Sequence, residues 1–152
     1  MSLAGKPSFI EKVRSLLQKK QAPSLSAPAA PARRDKSLSD KEIRQLDKLT
    51  QVWVSGRGYR MPDRSVEDAA RRIGTSSVLL HRYCLQRLGK DFRSWRTELR
   101  MEDAKQMLLE DSTTTASNVG RRVGVSDRSN FFRQFTAYTG CSPDQWRKQQ
   151  KG

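Results

Sequence analysis

Between Ala70 and Arg147 this chain states one pattern twice. The first statement is Ala70-x3-Gly74-x-Ser76, then Leu80-His81-Arg82-Tyr83-Cys84, then Gly89-x-Asp91-Phe92-x2-Trp95-Arg96. The second is Gly120-x3-Gly124-x-Ser126, then Phe131-Phe132-Arg133-Gln134-Phe135, then Gly140-x-Ser142-Pro143-x2-Trp146-Arg147. The early elements are offset by 50 residues (120 − 70) and the later ones by 51 (146 − 95), so one residue is inserted after Gly124. A repeat of this length rules out one large core and calls for two small modules of like construction.

Each copy reads as short helices separated by glycines. Ser65 is placed to cap a helix over Val66 to Ile73, with Glu67 and Asp68 in its first turn. Gly74 breaks it, Ser76 caps a second helix over Ser77 to Leu88, and Gly89 stops that one. A long helix from Asp91 to Glu110 carries Phe92, Trp95, Leu99, Met101, Ala104, Met107 and Leu108. After Ser112-Thr113-Thr114-Thr115 the second copy gives helices over Ala116 to Val123 and Asp127 to Tyr138. Ser142-Pro143 then opens a last helix, proline being favourable at a first helical position. The expected fold class is all-α: two helix-turn-helix subdomains, homeodomain-like, joined by a long linker helix.

Two short helices make a helix-turn-helix only if three positions are right. A small residue must stand where the helices cross, and Ala70 and Gly120 do. A residue at ease with positive φ must stand in the turn, and Gly74 and Gly124 do. An apolar residue must anchor the second helix, and Leu80 and Phe131 do, with a longer turn in the second copy. Leu80, Tyr83, Cys84 and Leu88 are expected to face inward in the first copy, and Phe131, Phe135 and Tyr138 in the second.

Net charge says what the outward faces meet. Thirty Lys and Arg against sixteen Asp and Glu give +14, an excess that suits a nucleic acid or an anionic membrane surface. No run of about eighteen apolar residues is present to span a bilayer, and the first residues lack the apolar stretch of a secretory leader. Two cysteines, Cys84 and Cys141, make no disulfide framework and lack metal-ligand spacing, and His81 is the one histidine. Neither a metal nor a cofactor is expected, and no enzymatic activity.

The faces left outside then become candidate contacts. Ser77, Val78, His81 and Arg82 in the first copy, and Arg128, Ser129, Phe132 and Arg133 in the second, stand where a recognition helix meets base edges. Arginine pairs bidentately with guanine O6 and N7, and Val78 or Phe132 can touch a thymine methyl. Arg71, Arg72, Arg121 and Arg122 lie on the preceding helices, which cross the phosphate backbone. Plainer readings stand beside these. His81 can be a surface residue, Arg121 and Arg122 a solvated face, and Phe132 a core-edge ring. Phe131 and Phe135 read as core, as do Cys84 and Cys141, and Trp95 and Trp146 as packing residues.

The segment Gly124-Val125-Ser126-Asp127-Arg128-Ser129-Asn130-Phe131-Phe132-Arg133-Gln134-Phe135, followed by Gly140-Cys141-Ser142-Pro143-x2-Trp146-Arg147, resembles the signature of the AraC/XylS family of bacterial transcription regulators. Leu99-Arg100-Met101-Glu102-Asp103-Ala104-x2-Met107-Leu108 is similar to that family's linker helix. The resemblance covers about Ser65 to Lys148 and places Val78, His81 and Arg82 of the first unit, and Arg128, Ser129, Phe132 and Arg133 of the second, on the family's base-contact positions. Gly120 stands where the family usually has Ala, Val125 and Cys84 where it usually has Phe. More loosely, the stretch from Leu38 to Ala70 resembles the lead-in of Bacteroides-type regulators, several of which join this domain to a membrane-embedded sensor.

The resemblance implies a sequence-specific binder of double-stranded promoter DNA that reads two successive major grooves, an activator recruiting RNA polymerase. It implies a cytoplasmic location, or a membrane tether in the full-length protein. It also implies that this is a monomeric C-terminal piece of a longer regulator with an N-terminal sensor domain. The alternative is a helical protein-interaction domain with only non-specific DNA affinity. A third reading, a DNA-repair enzyme, needs a reactive cysteine with activating neighbours.

The expected organisation is an amphipathic helix or tail at 1–20 (within it Phe9 to Lys20) and a disordered Ala/Pro/Ser linker at 21–37. A lead-in helix and connector follow at 38–63, the helix running from about Lys41 to Ser55 with Ile43, Leu46, Leu49, Val52 and Trp53 on one stripe. The first helix-turn-helix takes 64–90, the linker helix 91–111, and the second helix-turn-helix 112–150. Lys19-Lys20 and Arg33-Arg34 read as solvating linker charge.

Overall fold

The computed structural model of the protein describes residues 37–62 and 65–151. The helix expected within 1–20 and the linker expected at 21–37, all but Ser37, lie outside the described residues. Among the described residues the chain is all-α, in the order α1 (Asp40–Ser55), a 3-10 turn (Gly58–Arg60), α2 (Val66–Ile73) and α3 (Ser77–Tyr83). The last of these widens into a π-turn over Cys84–Leu88. Then come α4 (Phe92–Glu110), α5 (Ala116–Arg122), α6 (Arg128–Thr139) and α7 (Pro143–Lys151).

Local chemistry sets the boundaries. Ser39 and Glu42 form a reciprocal capping box at the start of α1, with Glu42 N–H donating to Ser39 Oγ and Ser39 N–H to Glu42 Oε2. Ser65, Ser76, Asp91, Thr115 and Asp127 each accept a backbone N–H at the head of the next five helices.

Two cores form, and α4 belongs to both. Its Phe92, Trp95 and Leu99 enter the first core, with Trp53, Leu80 and Tyr83. Its Met101, Ala104, Met107 and Leu108 enter the second, with Val119, Phe131, Phe135 and Trp146. The step from Leu99 to Met101 is two residues, about 200° around a helix of 3.6 residues per turn. The apolar stripe therefore changes sides at that step, and one continuous helix closes the first unit and opens the second.

Two inward assignments are corrected. Val52 is 74% exposed, and Val54, one residue beyond Trp53, is buried in its place. The buried line of α1 runs Leu46, Thr50, Trp53, Val54, and a residue at 52 falls off that face. Tyr138 is 37% exposed rather than inward. It stands near the end of α6 where the core runs out, and its hydroxyl donates to Glu102 Oε1 at 2.7 Å while the Lys105 ammonium sits 5.8 Å from its ring centre.

The connector after α1 is tied to the middle of α4. Asp103, buried on that helix, accepts from Arg57 Nη1 at 3.3 Å, from the Tyr59 hydroxyl at 3.0 Å, and from Arg60 Nε and Nη2. Arg100, one turn earlier and also buried, donates to the carbonyls of Tyr59 at 2.6 Å and Met61 at 2.8 Å. The connector also reaches the second unit. Gly124, at φ +100°, lies so close that a Cβ there would stand 2.5 Å from the Arg60 carbonyl oxygen.

At the helix crossings the copies differ in a compensating way. The first pairs Ala70 with Leu80, and the second pairs Gly120 with Phe131. A Cβ on Gly120 would fall 2.7 Å from the Phe131 ring, so the larger anchor fills the space that the missing methyl leaves.

Gly120→Ala gains helix propensity of about 1 kcal/mol but overpacks the crossing, and a net loss of about 1–2 kcal/mol is expected in urea unfolding. Adding Phe131→Leu should recover part of that loss; a more stable Gly120→Ala protein would show that the crossing is not tight. Asp103→Ala leaves two arginines and a tyrosine facing a gap, and should cost about 2–3 kcal/mol, discounted because Arg57 is half exposed.

Candidate nucleic-acid interface

Helix α3 is held by its inner face and by polar pins to the lead-in. Leu80, Tyr83, Cys84 and Leu88 are all buried. The Tyr83 hydroxyl donates to Asp47 Oδ1 and lies 3.3 Å from Thr50 Oγ1 on α1, and Arg87 Nε approaches the same carboxylate at 3.4 Å. Burial, with the Asp47 carboxylate next, pushes the Tyr83 phenol up, so it stays a neutral donor. Gln86 clasps the backbone of Leu38, accepting its N–H at 2.9 Å and donating to its carbonyl at 3.3 Å.

With that face fixed, the other turns outward. Val78 and His81 are exposed, while Ser77 and Arg82 are half-buried. All four line one groove of about 710 Å³, together with Val66 and Glu67 at the head of α2 and Leu85, Gln86 and Ser37. Arg71 and Arg72 are exposed in the last turn of α2, Arg71 pairing with Asp68 one turn back.

The second unit shows the same plan in different chemistry. Phe131 and Phe135 anchor α6, with Trp146 of α7 packed 6.0 Å from Phe135. Arg128, Ser129 and Arg133 are exposed, and Arg121 and Arg122 are exposed on α5. Phe132 is half-buried and edge-on to Phe131 at 6.2 Å, and its outer side carries the Arg128 guanidinium at 5.2 Å. Phe132 is therefore a shelf for an arginine as much as a contact of its own. Arg133 Nη2 donates to Asn130 Oδ1 at 2.7 Å, which orients its planar fork from one turn back.

The structure thus brings the eight base-contact candidates onto two helix faces of like construction. It adds Leu85, Gln86 and Glu67 to the first, which reading for known contact positions did not reach. Leu85 had a signal, being seven residues after Val78 and on the same helical face. The repeated Trp-Arg is internal rather than interfacial. Trp95 and Trp146 are buried, and Arg147 donates to the carbonyls of Leu108 at 3.2 Å and Thr114 at 2.7 Å, closing the C-terminal end of α4.

Comparison with known proteins agrees with this architecture. A family model described as a helix-turn-helix domain matches residues 69–149. The arabinose operon regulatory proteins of Salmonella typhimurium and Escherichia coli K12 are each 34% identical over 82 residues. That stretch is 54% of this chain but 29% and 28% of theirs, so the chain spans less than a third of the length of these relatives. The solved C-terminal domain of AraT, a response regulator from Geobacillus stearothermophilus, superposes with a TM-score of 0.60 at 28% identity, covering 74% of this chain and 87% of that one. The C-terminal domain of the two-component response regulator yesN from Fusobacterium nucleatum shares the fold, with a TM-score of 0.60 at 23% identity over 68% and 98% of the two chains.

Among the described residues no group of three or more His, Cys, Asp and Glu is arranged to hold a metal, and no helix is long and apolar enough to cross a membrane. Cys84 is buried, and burial, with the Asp91 charge second, pushes its thiol up to about 12. It therefore remains protonated at neutral pH and is a poor nucleophile. A thiol reagent should label Cys84 no faster than the protein unfolds, read by mass spectrometry at increasing urea; rapid labelling of the folded protein would contradict this burial.

Proposed function

The chain belongs to the AraC/XylS family of DNA-binding helix-turn-helix transcription regulators, and we propose that it reads two successive major grooves of promoter DNA with α3 and α6. The observation that carries this reading is the sharing of α4 by both cores. A helix of 19 residues at 1.5 Å per residue is about 28 Å long, near the ~34 Å between major grooves on one face of the duplex. A rigid spacer of that length suits two readers on one chain acting as a monomer.

In this reading Arg71, Arg72, Arg121 and Arg122 grip phosphates. Ser77, Val78, His81 and Arg82 face one groove, and Arg128, Ser129, Phe132 and Arg133 the next. Arg128 on its aromatic shelf and Arg133 on Asn130 are presented ready to pair with guanine, which lowers the ordering cost of binding. The protein acts in the cytoplasm by binding rather than by catalysis, and it activates transcription by recruiting RNA polymerase. A sensor domain, in some arrangements tethered to a membrane, supplies the signal. The support for these last roles is the family resemblance.

Selection of binders from a random duplex library, at physiological salt, tests the reading. Two short enriched blocks about one helical turn apart are expected, and Arg133→Ala should relax one of them by about 5- to 100-fold, Arg82→Ala the other. Each phosphate arginine changed to alanine should lower the slope of log affinity on log salt by about 1 without altering sequence preference. Binding without any enriched sequence would defeat the proposal.

A further inference from the structure

The two recognition faces differ in chemistry. That of α6 presents two organised arginines, Arg128 stacked on Phe132 and Arg133 bonded to Asn130. That of α3 presents an apolar stripe. Val78 is 57% exposed and Leu85 is 49% exposed, one on each side of half-buried Arg82, with the half-buried Val66 closing the same groove. These side chains could have been polar at no cost to the core, because Leu80, Tyr83, Cys84 and Leu88 already fill the inner face. A solvent-facing Val and Leu seven residues apart, in a groove that also holds Arg82, call for an apolar partner set within an anionic one.

We propose that the Val78–Leu85 stripe of α3 reads thymine 5-methyl groups, so that the half-site under the first unit is selected for methyls while that under α6 is selected for guanine. The proposal rests on the two-groove reading above. The thymine methyl is the one apolar feature a base pair offers in the major groove. It is carried by a phosphate backbone that Arg71 and Arg72, exposed at the end of α2, suit in charge. The stripe is continuous with the base-facing positions, since Val78, His81, Arg82 and Leu85 line one groove. Among the described residues Arg82 is the one arginine lining this groove, against two presented by α6, and Glu67 beside it cannot donate to guanine. Leu85 joins Val78 as a specificity-determining residue because it lies two turns on along the same outward face and lines the same groove, while Leu88 stays buried.

The test uses the whole chain and the duplex enriched in the selection above, with the half-site of the first unit identified as the block that Arg133→Ala leaves intact. Thymines in that block are replaced singly by deoxyuridine, which removes only the methyl. Burying one methyl corresponds to about a fourfold change in Kd, so about fourfold weaker binding is expected at each contacted thymine. Deoxyuridine in the other block should change little. Val78→Ala should bind thymine and deoxyuridine duplexes alike at the position it contacts, and Leu85→Ala should do so at a neighbouring one. Equal affinity of both duplexes for the unaltered chain would overturn the proposal while leaving the two-groove reading standing. So would methyl dependence that survives both substitutions, or a first block built of G·C pairs. A single enriched block, or none, would overturn it together with the two-groove reading.

Discussion

The carboxylate of Asp103 holds the architecture together. It is buried in the middle of the one helix that both units share, and three side chains of the connector converge on it. A charge so placed cannot be left unpaired, since burial without partners costs several kcal/mol. The connector must therefore lie across α4 wherever the chain is folded. Arg100 completes the clamp by taking two connector carbonyls, and the Arg60 carbonyl presses against Gly124 in the turn of the second unit. The consequence for function is geometric. The first recognition helix is pinned to α1 through Tyr83 and Asp47, α1 is pinned to α4 through the connector, and α4 is part of the second core. The two reading heads are thus held by side-chain bonds as well as by a continuous backbone.

The repeat has diverged under packing constraints that leave its shape intact. Where the first copy has Ala70 and Leu80 the second has Gly120 and Phe131, a ring standing where a methyl would. The loss of helix propensity at Gly120 is offset by burial of a phenyl group, whose apolar area outweighs it. The outward faces differ more, because apart from Phe132 they carry few core contacts. One became rich in arginine and the other in aliphatic groups. In the proposed two-groove reading, two unlike faces on one spacer would distinguish the two halves of a site and give the chain a direction on DNA that two identical faces would lack.

Most of this was legible in the residues because the signals are local. Glycines at 74, 89, 124 and 140 all take positive φ, and the caps at Ser65 and Ser76 stand where the sequence put them. Periodicity alone marked Leu80, Phe131 and Phe135 as core. It failed at Val52, where a neighbouring valine competes for the same face, and at Tyr138, where the core ends before the pattern does. The family resemblance supplied what periodicity could not, namely a reason to propose DNA as what the outward residues meet.

By itself the sequence determined the helices, their two-fold repetition and the net charge, since each follows from short-range spacing or from composition, and the family resemblance narrowed the polyanionic partner to DNA. Only the tertiary structure decided that Asp103 and Arg100, polar residues in the middle of a helix, would be buried, because their partners lie about forty residues away in the connector. It also decided that the Arg60 carbonyl would lie against Gly124, and that Gly120 is required by a ring rather than by a turn. These depend on which surfaces meet across the fold, and distances between such surfaces are set by packing, which no local spacing along the chain encodes.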